Sequence, residues 1–416
     1  MESIAQTAVW INALDPAALT RLLDLADLTV TALELQPHAH QLYLHCTPTA
    51  SVAGCPRCHT PSGQIHQAHR RTIRDLPWGP WTCYLRLTRR RFWCAPCAGP
   101  FTEALAVLAP WARSTRRFAA AVVAAVPPTT IQAVATALTL GYKAVEGLFY
   151  RTALARHPAG PPAQPVRRLG IDEIAARKGH GHFHLVLVDL DAGRVIEQLP
   201  DRDAATLRTY LLSWSDGARA AVEEVAVDFW AAYHEVVAAV LPQARVVGDR
   251  FHVQKHLNEA VQRTRREVQA TLPAADAAFV RRHRHVLLCN EEDLDAAAWH
   301  TLTVLKVGVP VLERVHTLKE QFRAIFAEAP DRPSAAAQVQ GWLAAAQQSG
   351  VAALEEFAAF VGRWREPILN YFVARTTSGR VEGLNNKIKL IKRQAFGFRN
   401  DAHFRLRVLM ACTGSA

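Results

Sequence analysis

The stretch that decides the fold begins with RRLGIDEIA (residues 167–175) and continues with HFHLVLVDLD (residues 182–191). The first run predicts a short buried strand that carries Asp172, and the second is an apolar run suited to a central strand. Asp191-Ala192-Gly193 is typical of a hairpin turn, after which RVIEQLP (residues 194–200) predicts a third strand. These runs indicate three strands in antiparallel succession.

Helices and strands alternate after this hairpin. EEVAVD (residues 223–228) predicts a strand ending at Asp228, FWAAYHEVVAAVLP (residues 229–242) an amphipathic helix, and ARVVGD (residues 244–249) a strand ending at Asp249. This order predicts a ribonuclease-H-like core, in which Asp172 and Asp228 lie side by side only if their strands are neighbours. An aspartate at a strand end is more commonly a capping or turn residue.

The distribution of charge indicates a polyanionic partner. The chain has 416 residues, enough for several domains, and a net charge of +11. Residues 51–150 have a net charge of +9 and residues 375–416 of +7, on an otherwise mildly acidic body. Two basic blocks favour a nucleic acid touched at two places, although a solvated basic surface is the alternative. No apolar run could span a bilayer and no signal peptide is visible, so we expect a cytoplasmic protein.

Two C-x-x-C pairs predict a zinc module near the start of the chain. Cys55 and Cys58 form CPRC, and Cys94 and Cys97 form CAPC, which together supply four thiolates for tetrahedral zinc. Two redox pairs or coincidence are the alternatives. The residues between the pairs are rich in arginine, as contact with a phosphate backbone requires. The candidate DNA-binding residues here are Arg70, Arg71, Arg74, Arg89, Arg90 and Arg91.

Two short helices are predicted after this module. TTIQAVATALTLGYKAVEGLFYR (residues 129–151) divides around Leu140-Gly141-Tyr142. A glycine-containing turn between short helices is the layout of a helix-turn-helix, although any helical hairpin can share it. The proline-rich segment HPAGPPAQP (residues 157–165) then predicts a linker.

A basic amphipathic helix is predicted close to the end of the chain. GRVEGLNNKIKLIKRQAFGF (residues 379–398) places four apolar residues at helical spacing, and these should face the core: Val381, Leu384, Ile388 and Ile391. Beside them runs a polar stripe: Glu382, Asn385, Asn386, Lys389, Lys392 and Arg393. A single acidic residue followed by amide and basic side chains on the same helix face is typical of a metal ligand that lies next to bound DNA. A solvated face with an incidental glutamate is the alternative.

The order of these motifs resembles the DDE transposases of bacterial insertion sequences, most closely the ISL-three group. The motifs are CPRC, CAPC, GIDE, VDFW, GDRFHV, GRVEGLNNKIKLIKRQAFGFRN and HFRLRVL, and the resemblance covers about residues 50–412. It implies a multidomain α/β chain in which a zinc ribbon and a helix-turn-helix precede a ribonuclease-H-like core, which an all-α insertion interrupts. The expected segments are an N-terminal segment (1–50), zinc ribbon (51–103), helix-turn-helix and linker (104–160), first core part (161–253), helical insertion (254–375) and last core part (376–416).

The resemblance also implies a site and a reaction. Asp172, Asp228 and Glu382 would hold two Mg²⁺ or Mn²⁺ ions, with Asp249 and His252 in supporting roles and Asp249 as the rival of Asp228. Two such ions roughly 3.5–4 Å apart assist phosphodiester displacement by water and then by a 3′-hydroxyl. The basic residues expected to contact phosphates are Lys387, Lys389, Lys392 and Arg393.

The expected partner is double-stranded DNA, as terminal inverted repeats and as target, bound by a homo-oligomer associated with the bacterial nucleoid. A DNA-binding regulator with an inactive core is the main alternative. A nuclease without strand transfer is a third possibility.

Overall fold

The computed structural model of the chain describes residues 9–10, 15–177, 181–376 and 379–413. The chain divides into two compact units, residues 1–152 and residues 153–416. Among the described helices, none combines the length and the apolar character needed to cross a membrane.

The described part of the first unit contains a six-stranded sheet, a separate two-stranded sheet formed by residues 53–54 and 61–62, and four α-helices. Its elements are β1 (Val9–Trp10), α1 (Pro16–Leu22), β2 (Leu28–Gln36), β3 (Gln41–Pro48), β4 (Ala53–Gly54), β5 (Pro61–Ser62), β6 (Ile65–Arg74), β7 (Thr82–Cys94), β8 (Gly99–Thr102), α2 (Arg116–Ala125), α3 (Ile131–Ala137) and α4 (Tyr142–Arg156). The strands β1, β2, β3, β7 and β6 follow one another in the sheet, and β8 also pairs with β7. Apolar residues that alternate along β2, β3 and β7 form its core, which includes Leu44 and Leu85.

Residues 1–50 are expected only as an N-terminal segment, whereas β2 and β3 within them are full members of this sheet. Residues 41–46 of β3 pair in parallel with residues 82–87 of β7. The sheet therefore runs across the expected boundary between residues 50 and 51. Alternating burial in LTVTALELQ and QLYLHCTP is the signal that could have identified both strands.

The second unit combines a five-stranded sheet with many helices. It contains β9 (Arg168–Ala175), β10 (Phe183–Asp189), β11 (Arg194–Leu199), α5 (Ala204–Leu212), α6 (Asp216–Ala220), β12 (Glu224–Val227), α7 (Ala231–Val240), β13 (Arg245–Gly248), α8 (Arg250–Gln269), α9 (Ala274–Arg282), α10 (Ala296–Gly308), α11 (Pro310–Glu328), α12 (Arg332–Gln347), α13 (Ala352–Arg363), α14 (Arg365–Ala374), α15 (Gly379–Gln394) and α16 (Asp401–Cys412).

The strand order of this sheet is β11-β10-β9-β12-β13. β9, β10 and β11 pair antiparallel, as the sequence predicted. β12 then pairs in parallel with β9 on one side and with β13 on the other. The strands that carry Asp172 and Asp228 are therefore neighbours, which was the condition for the two carboxylates to meet.

Helices cover both faces of this sheet because each strand is apolar on both sides. Leu207, Leu211 and Tyr233 of α5 and α7 pack on one face. Val381, Ile388 and Ile391 of α15 pack on the other with α16, which confirms the predicted apolar side of α15.

Residues 250–374 are helical from α8 to α14 and form a separate core around Phe322, Trp342 and Phe357. This agrees with the all-helical character expected for residues 254–375. On α14, Asn370 Nδ2 donates to the Val246 carbonyl 2.9 Å away, which ties the helical region to the edge strand β13.

Candidate active site and zinc-binding module

Three aspartates lie at one edge of the second sheet. In the parallel register Val227 is opposite Ile171 on one side and Gly248 on the other. The next residue of each strand is an aspartate, so Asp172, Asp228 and Asp249 follow one another across the sheet. Carboxyl ends of parallel strands are a common location for binding sites in α/β folds.

Asp172 points to the face of the sheet that α15 covers. A Cβ atom at Gly170, two residues earlier on the same face, would lie 2.9 Å from Val381 Cγ2, so glycine permits α15 to approach β9. The Glu173 amide donates to Asp172 Oδ1 and Asn385 Nδ2 donates to Asp172 Oδ2, each over 2.7 Å. Burial raises the pKa of the Asp172 carboxyl group, and the charges of Asp228 and Asp249 act in the same direction.

Asp228 is the most open of the three aspartates. Its side chain is 41% exposed, and the Phe229 amide donates to Oδ1 over 2.6 Å. Its Oδ2 lies 3.6 Å from His252 Nε2. The carboxylate therefore has one oxygen directed by the backbone and one oxygen open toward the site.

Asp249 and His252 form a bonded pair at the start of α8. Asp249 caps this helix by accepting from the Phe251 amide over 2.9 Å, and its Oδ2 lies 2.8 Å from His252 Nδ1. The hydrogen bond to Asp249 raises the pKa of the His252 imidazole. The side chains of Asp172, Asp228, Asp249 and His252 border one small cavity. Its full lining is Ile171, Asp172, Ala226, Val227, Asp228, Asp249, His252 and Val381.

Glu382 stands apart from this cavity. It is exposed in the first turn of α15, three residues before Asn385, and it is not among the cavity-lining residues. Among the described residues, one group of three or more His, Cys, Asp or Glu side chains has ligand atoms that all lie within 4.8 Å of one another. This group consists of four cysteine thiols. Asp172, Asp228, Asp249 and His252 therefore line one cavity without gathering as tightly as the four thiols do, and Glu382 is not among the residues that line it.

The acidic edge nevertheless fits a divalent cation. Its donors are mostly carboxylate oxygens, the ligands that Mg²⁺ and Mn²⁺ prefer. Three carboxylates face a single imidazole, so the cluster carries more negative than positive charge. Asn385 Oδ1 is buried and accepts no hydrogen bond within the described residues. These groups would be stabilised by a hydrated cation.

Glu173, the other acid of the GIDE motif, points away from this edge. Its Oε1 accepts from Tyr233 Oη over 2.9 Å, and its Oε2 lies 3.3 Å from Arg202 Nη1. It therefore belongs to the face that α7 covers. Side-chain alternation along β9 separates the two neighbouring acids.

The four cysteines of the two C-x-x-C pairs meet in the first unit. The Sγ atoms of Cys55, Cys58, Cys94 and Cys97 all lie within 4.8 Å of one another. Hydrogen bonding to Thr60 lowers the pKa of Cys58 to about 6, whereas hydrogen bonding to Cys58 raises the pKa of Cys97 to about 12, so the thiols of the cluster do not ionise alike. The cluster fits structural zinc, as the spacing predicted. Cys83 is buried in the core of the sheet and takes no part.

The predicted DNA-binding arginines of the first unit divide into internal and accessible ones. Arg74 is buried, donates to the Leu138 carbonyl over 3.0 Å and lies over the rings of Tyr84 and Phe118. Arg90 forms an ion pair with the buried Glu103. Arg89 donates to the Glu103 carbonyl. Arg70 is exposed, whereas Arg71 and Arg91 are half-buried.

The basic residues of α15 divide in the same way. Lys389 and Arg393 are exposed. Lys392 Nζ donates to the Ala175 carbonyl over 2.5 Å, and Lys387 donates to the Ala411 carbonyl. Lys389 and Arg393 are thus the two whose charges point to solvent.

Sequence reasoning missed a basic surface on α8 and α9. Arg266, Arg281, Arg282 and Arg284 are exposed, and none of them forms an ion pair within the part of the chain that the structure describes. Gln262 Nε2 donates to the Arg284 carbonyl over 3.2 Å, which links α8 to the segment that follows α9. Burial and the charges of Arg266 and Arg284 lower the pKa of the adjacent Arg265. The run RRHRH (residues 281–285) was the available signal.

Comparison with known proteins places these features in a family. Residues 169–408 match the model of the ISL-three DDE family, described as "Transposase", and residues 51–97 match a "zinc-finger of transposase IS204/IS1001/IS1096/IS1165". The chain is therefore a transposase by class. It belongs to the ISL-three family of DDE transposases.

Curated relatives extend over most of the chain. It is 32% identical to the transposase for insertion sequence element IS1001 of Bordetella parapertussis over 381 residues, or 90% of this chain and 92% of that protein. It is 27% identical to the transposase for insertion sequence element IS1557 of Mycobacterium tuberculosis over 380 residues, or 85% of this chain and 84% of that protein.

Proposed function

We propose that this chain cuts the ends of an insertion sequence and joins them to target DNA at a site formed by Asp172, Asp228 and Glu382. The observation that carries the proposal is the parallel pairing of β9 with β12, which puts Asp172 beside Asp228 under α15. Membership of a transposase family supports DNA cleavage and strand transfer as the reaction class.

Within this proposal the sheet of the second unit is a ribonuclease-H-like core. Its support is the strand order, with three antiparallel strands followed by two parallel ones that cross over through helices. We assign α3 and α4 to a helix-turn-helix. These helices are separated by residues 138–141, close to the predicted turn.

Asp172 and Asp228 would hold divalent metal ions, with Glu382 as the third ligand. Bound there, Mg²⁺ or Mn²⁺ would supply positive charge to the attacking and leaving oxygens of the phosphodiester. The Glu173 amide, Asn385 and the Phe229 amide orient the two aspartates through hydrogen bonds to named oxygens. Glu382 lies in the first turn of α15, the helix that also carries Asn385. A shift of this first turn when DNA binds would bring the Glu382 carboxylate to the edge of the sheet where Asp172 and Asp228 lie.

Asp228 suits the role of second ligand better than Asp249. Both oxygens of Asp249 are engaged, one by the cap of α8 and one by His252. The open oxygen of Asp228 faces the site instead. We assign Asp249 and His252 to a supporting role, in which Asp249 holds the imidazole next to Asp228.

DNA would be held at basic surfaces of both units. In the first unit the exposed Arg70 and the half-buried Arg71 and Arg91 lie beside the zinc-binding module, which we propose binds terminal inverted repeats together with α3 and α4. In the second unit Lys389, Arg393 and the arginines of α8 and α9 would contact phosphates. Assembly as a homo-oligomer on DNA is part of this proposal.

The test is cleavage and joining of a labelled DNA duplex that carries the element's end. Asp172→Asn, Asp228→Asn and Glu382→Gln should each lower cleavage in Mg²⁺ by more than the roughly 10–100-fold that loss of an outer-shell partner costs. Glu173→Gln is the matched control, because this acid neighbours Asp172 but lies on the opposite face. Wild-type cleavage by Glu382→Gln would remove Glu382 from the site.

The position of Glu382 favours one alternative, a DNA-binding regulator with an inactive core. An exposed third acid outside the carboxylate cluster is what an incomplete site would present. DNA-end binding without any cleavage by the wild-type chain would support the regulator. Cleaved ends without joined products would instead indicate a nuclease.

A further inference from the structure

The inward face of α15 carries one buried polar residue. Asn385 is only 6% exposed and lies between the buried residues Val381 and Ile388 at helical spacing. An apolar residue would be expected at such a position, because burying an amide is unfavourable unless its hydrogen bonds are made. The neighbouring Asn386 is exposed and meets no such constraint.

The nitrogen of the Asn385 side-chain amide has a hydrogen-bond partner, the carboxylate of Asp172. Asn385 Nδ2 donates to Asp172 Oδ2 over 2.7 Å, while the Glu173 amide donates to Asp172 Oδ1. The two donors fix both oxygens of the carboxylate and hence its plane. The reverse orientation of the amide would set its oxygen against the carboxylate oxygen, so the partner determines which amide atom faces which way.

The oxygen of the same amide is unsatisfied. Asn385 Oδ1 is buried and accepts no hydrogen bond from any residue that the structure describes. Buried polar atoms without partners are uncommon, and a bound water or ion is one of the groups that can satisfy them. Val381, one turn before Asn385, lines the cavity of the aspartates, and Asn385 meets the residues of that cavity through its hydrogen bond to Asp172.

We propose that Asn385 is a positioning residue for the metal site: Nδ2 orients Asp172, and Oδ1 accepts a hydrogen bond from a water of a hydrated divalent cation. This rests on the proposed function, which makes Asp172 a metal ligand. A hydrated ion fits because Mg²⁺ keeps several of its waters when bound by few carboxylates. Groups that orient a ligating carboxylate through hydrogen bonds strengthen metal binding.

The experiment measures Mn²⁺ binding by the full chain with electron paramagnetic resonance, and in parallel the Mn²⁺ dependence of DNA cleavage. Asn385→Leu fills the core position with an apolar side chain but leaves Asp172 Oδ2 without this donor, so urea unfolding first establishes that the variant is folded. We expect its Kd for Mn²⁺ to rise about 10–100-fold, the usual effect of losing an outer-shell partner. Cleavage should recover in part at saturating Mn²⁺, because Asp172 itself remains.

Two further variants make the outcome unambiguous. Asn386→Ala is the matched control and should bind Mn²⁺ as the wild type does. Asn385→Ala supplies the measurement if Asn385→Leu does not fold. Wild-type Mn²⁺ affinity in a folded Asn385 variant would overturn the inference and leave the amide a purely structural role.

Asp172→Asn separates this inference from the proposed function. If Asp172→Asn loses Mn²⁺ binding and cleavage while Asn385→Leu keeps both, only the inference about Asn385 fails. If Asp172→Asn keeps both, the metal site itself is misassigned.

Discussion

Asp228 and Asp249 show how two aspartates at adjacent strand ends acquire different roles. Each follows the last residue of a parallel strand, and the sequence alone left them as rivals. The difference arises one residue later, where Asp228 precedes a loop and Asp249 caps α8. A capping carboxylate with a second oxygen bonded to histidine has little freedom left to bind a metal.

This difference predicts separate effects on stability and activity at Asp249. Asp249→Asn keeps a good capping residue, whereas Asp249→Ala should lower the free energy of unfolding by about 1 kcal/mol. Both variants should reduce cleavage by roughly 10–100-fold, because both disturb His252 beside Asp228. Urea unfolding and the cleavage assay measure the two effects. Equal and complete loss of cleavage in Asp249→Asn and Asp228→Asn would instead make Asp249 a direct ligand.

His316 predicts how stability responds to pH. It is completely buried on α11, and desolvation lowers the pKa of its imidazole to about 3, aided by the charges of Lys319 and Lys306. Glu291 Oε1, 3.5 Å from Nδ1, and the charge of Glu320 act in the opposite direction. The histidine is therefore neutral in the folded chain at neutral pH.

Because the folded pKa lies below the value of about 6.5 in an unfolded chain, the unfolded state binds the proton more readily. The contribution of neutral His316 to the free energy of unfolding is fully present above pH 6.5. It declines as the pH falls toward 3, by up to about 1.4 kcal/mol per pH unit. His316→Leu should flatten this part of the curve. Urea unfolding at pH 7, 6 and 5 gives the comparison, and parallel curves for both proteins would contradict it.

At the scale of elements, periodicity predicted the strands and helices that position the site. The runs around Asp172 and Asp228 are apolar on both faces, and α15 has its buried stripe at helical spacing, so these elements could be recognised. Periodicity could not show which polar residues are buried. Asn385 was assigned to the polar stripe but packs inward, because its partner Asp172 lies more than 200 residues away.

The arginines near the zinc-binding module illustrate the same limit. Arg74 and Arg90 were grouped with their neighbours as DNA contacts, yet each has an internal partner that is distant in sequence, Leu138 and Glu103. Charge in a sequence indicates a basic segment but not which side chains are neutralised. The meeting of Asp172 and Asp228 was conditional on neighbouring strands, which the family resemblance implied and local periodicity could not show.

The zinc-binding module predicts a local rather than global response to chelation. The cysteines of the two C-x-x-C pairs pack around a small core of Phe92 and Phe101. This core is separate from the larger core between β2, β3 and β7. Removing structural zinc, which contributes roughly 10–16 kcal/mol in small modules, should unfold residues 53–64 and 92–102. Residues 28–48 should keep their protection in hydrogen exchange.

Cys58→Ala should reproduce the effect of the chelator, and its zinc content should fall. Cys289→Ala is the control, since Cys289 is exposed and lies outside the four-thiol cluster. Loss of protection throughout the first sheet would show that the two cores are not independent.

At the scale of the whole molecule, accessible positive charge is present in both units. The net charge of +11 therefore matters less than where uncompensated arginines occur. Arg70 and Arg91 lie on the β6–β7 ribbon, and Arg281 and Arg282 lie at the end of α9. If each unit holds DNA, affinity should depend on salt through two sets of phosphate contacts.

The double variants Arg70→Ala/Arg91→Ala and Arg281→Ala/Arg282→Ala test this dependence. The slope of log K against log salt should become less steep by roughly 0.9 per lost phosphate contact, so by up to about 1.8 for each double variant. The effects should add in the quadruple variant, because each neutralised phosphate releases its own counterions. Arg332→Ala is the control, because Glu366 already neutralises that arginine. A slope that changes for the first pair alone would confine DNA binding to the zinc-binding unit, and the arginines of α9 would then be an ordinary solvated surface.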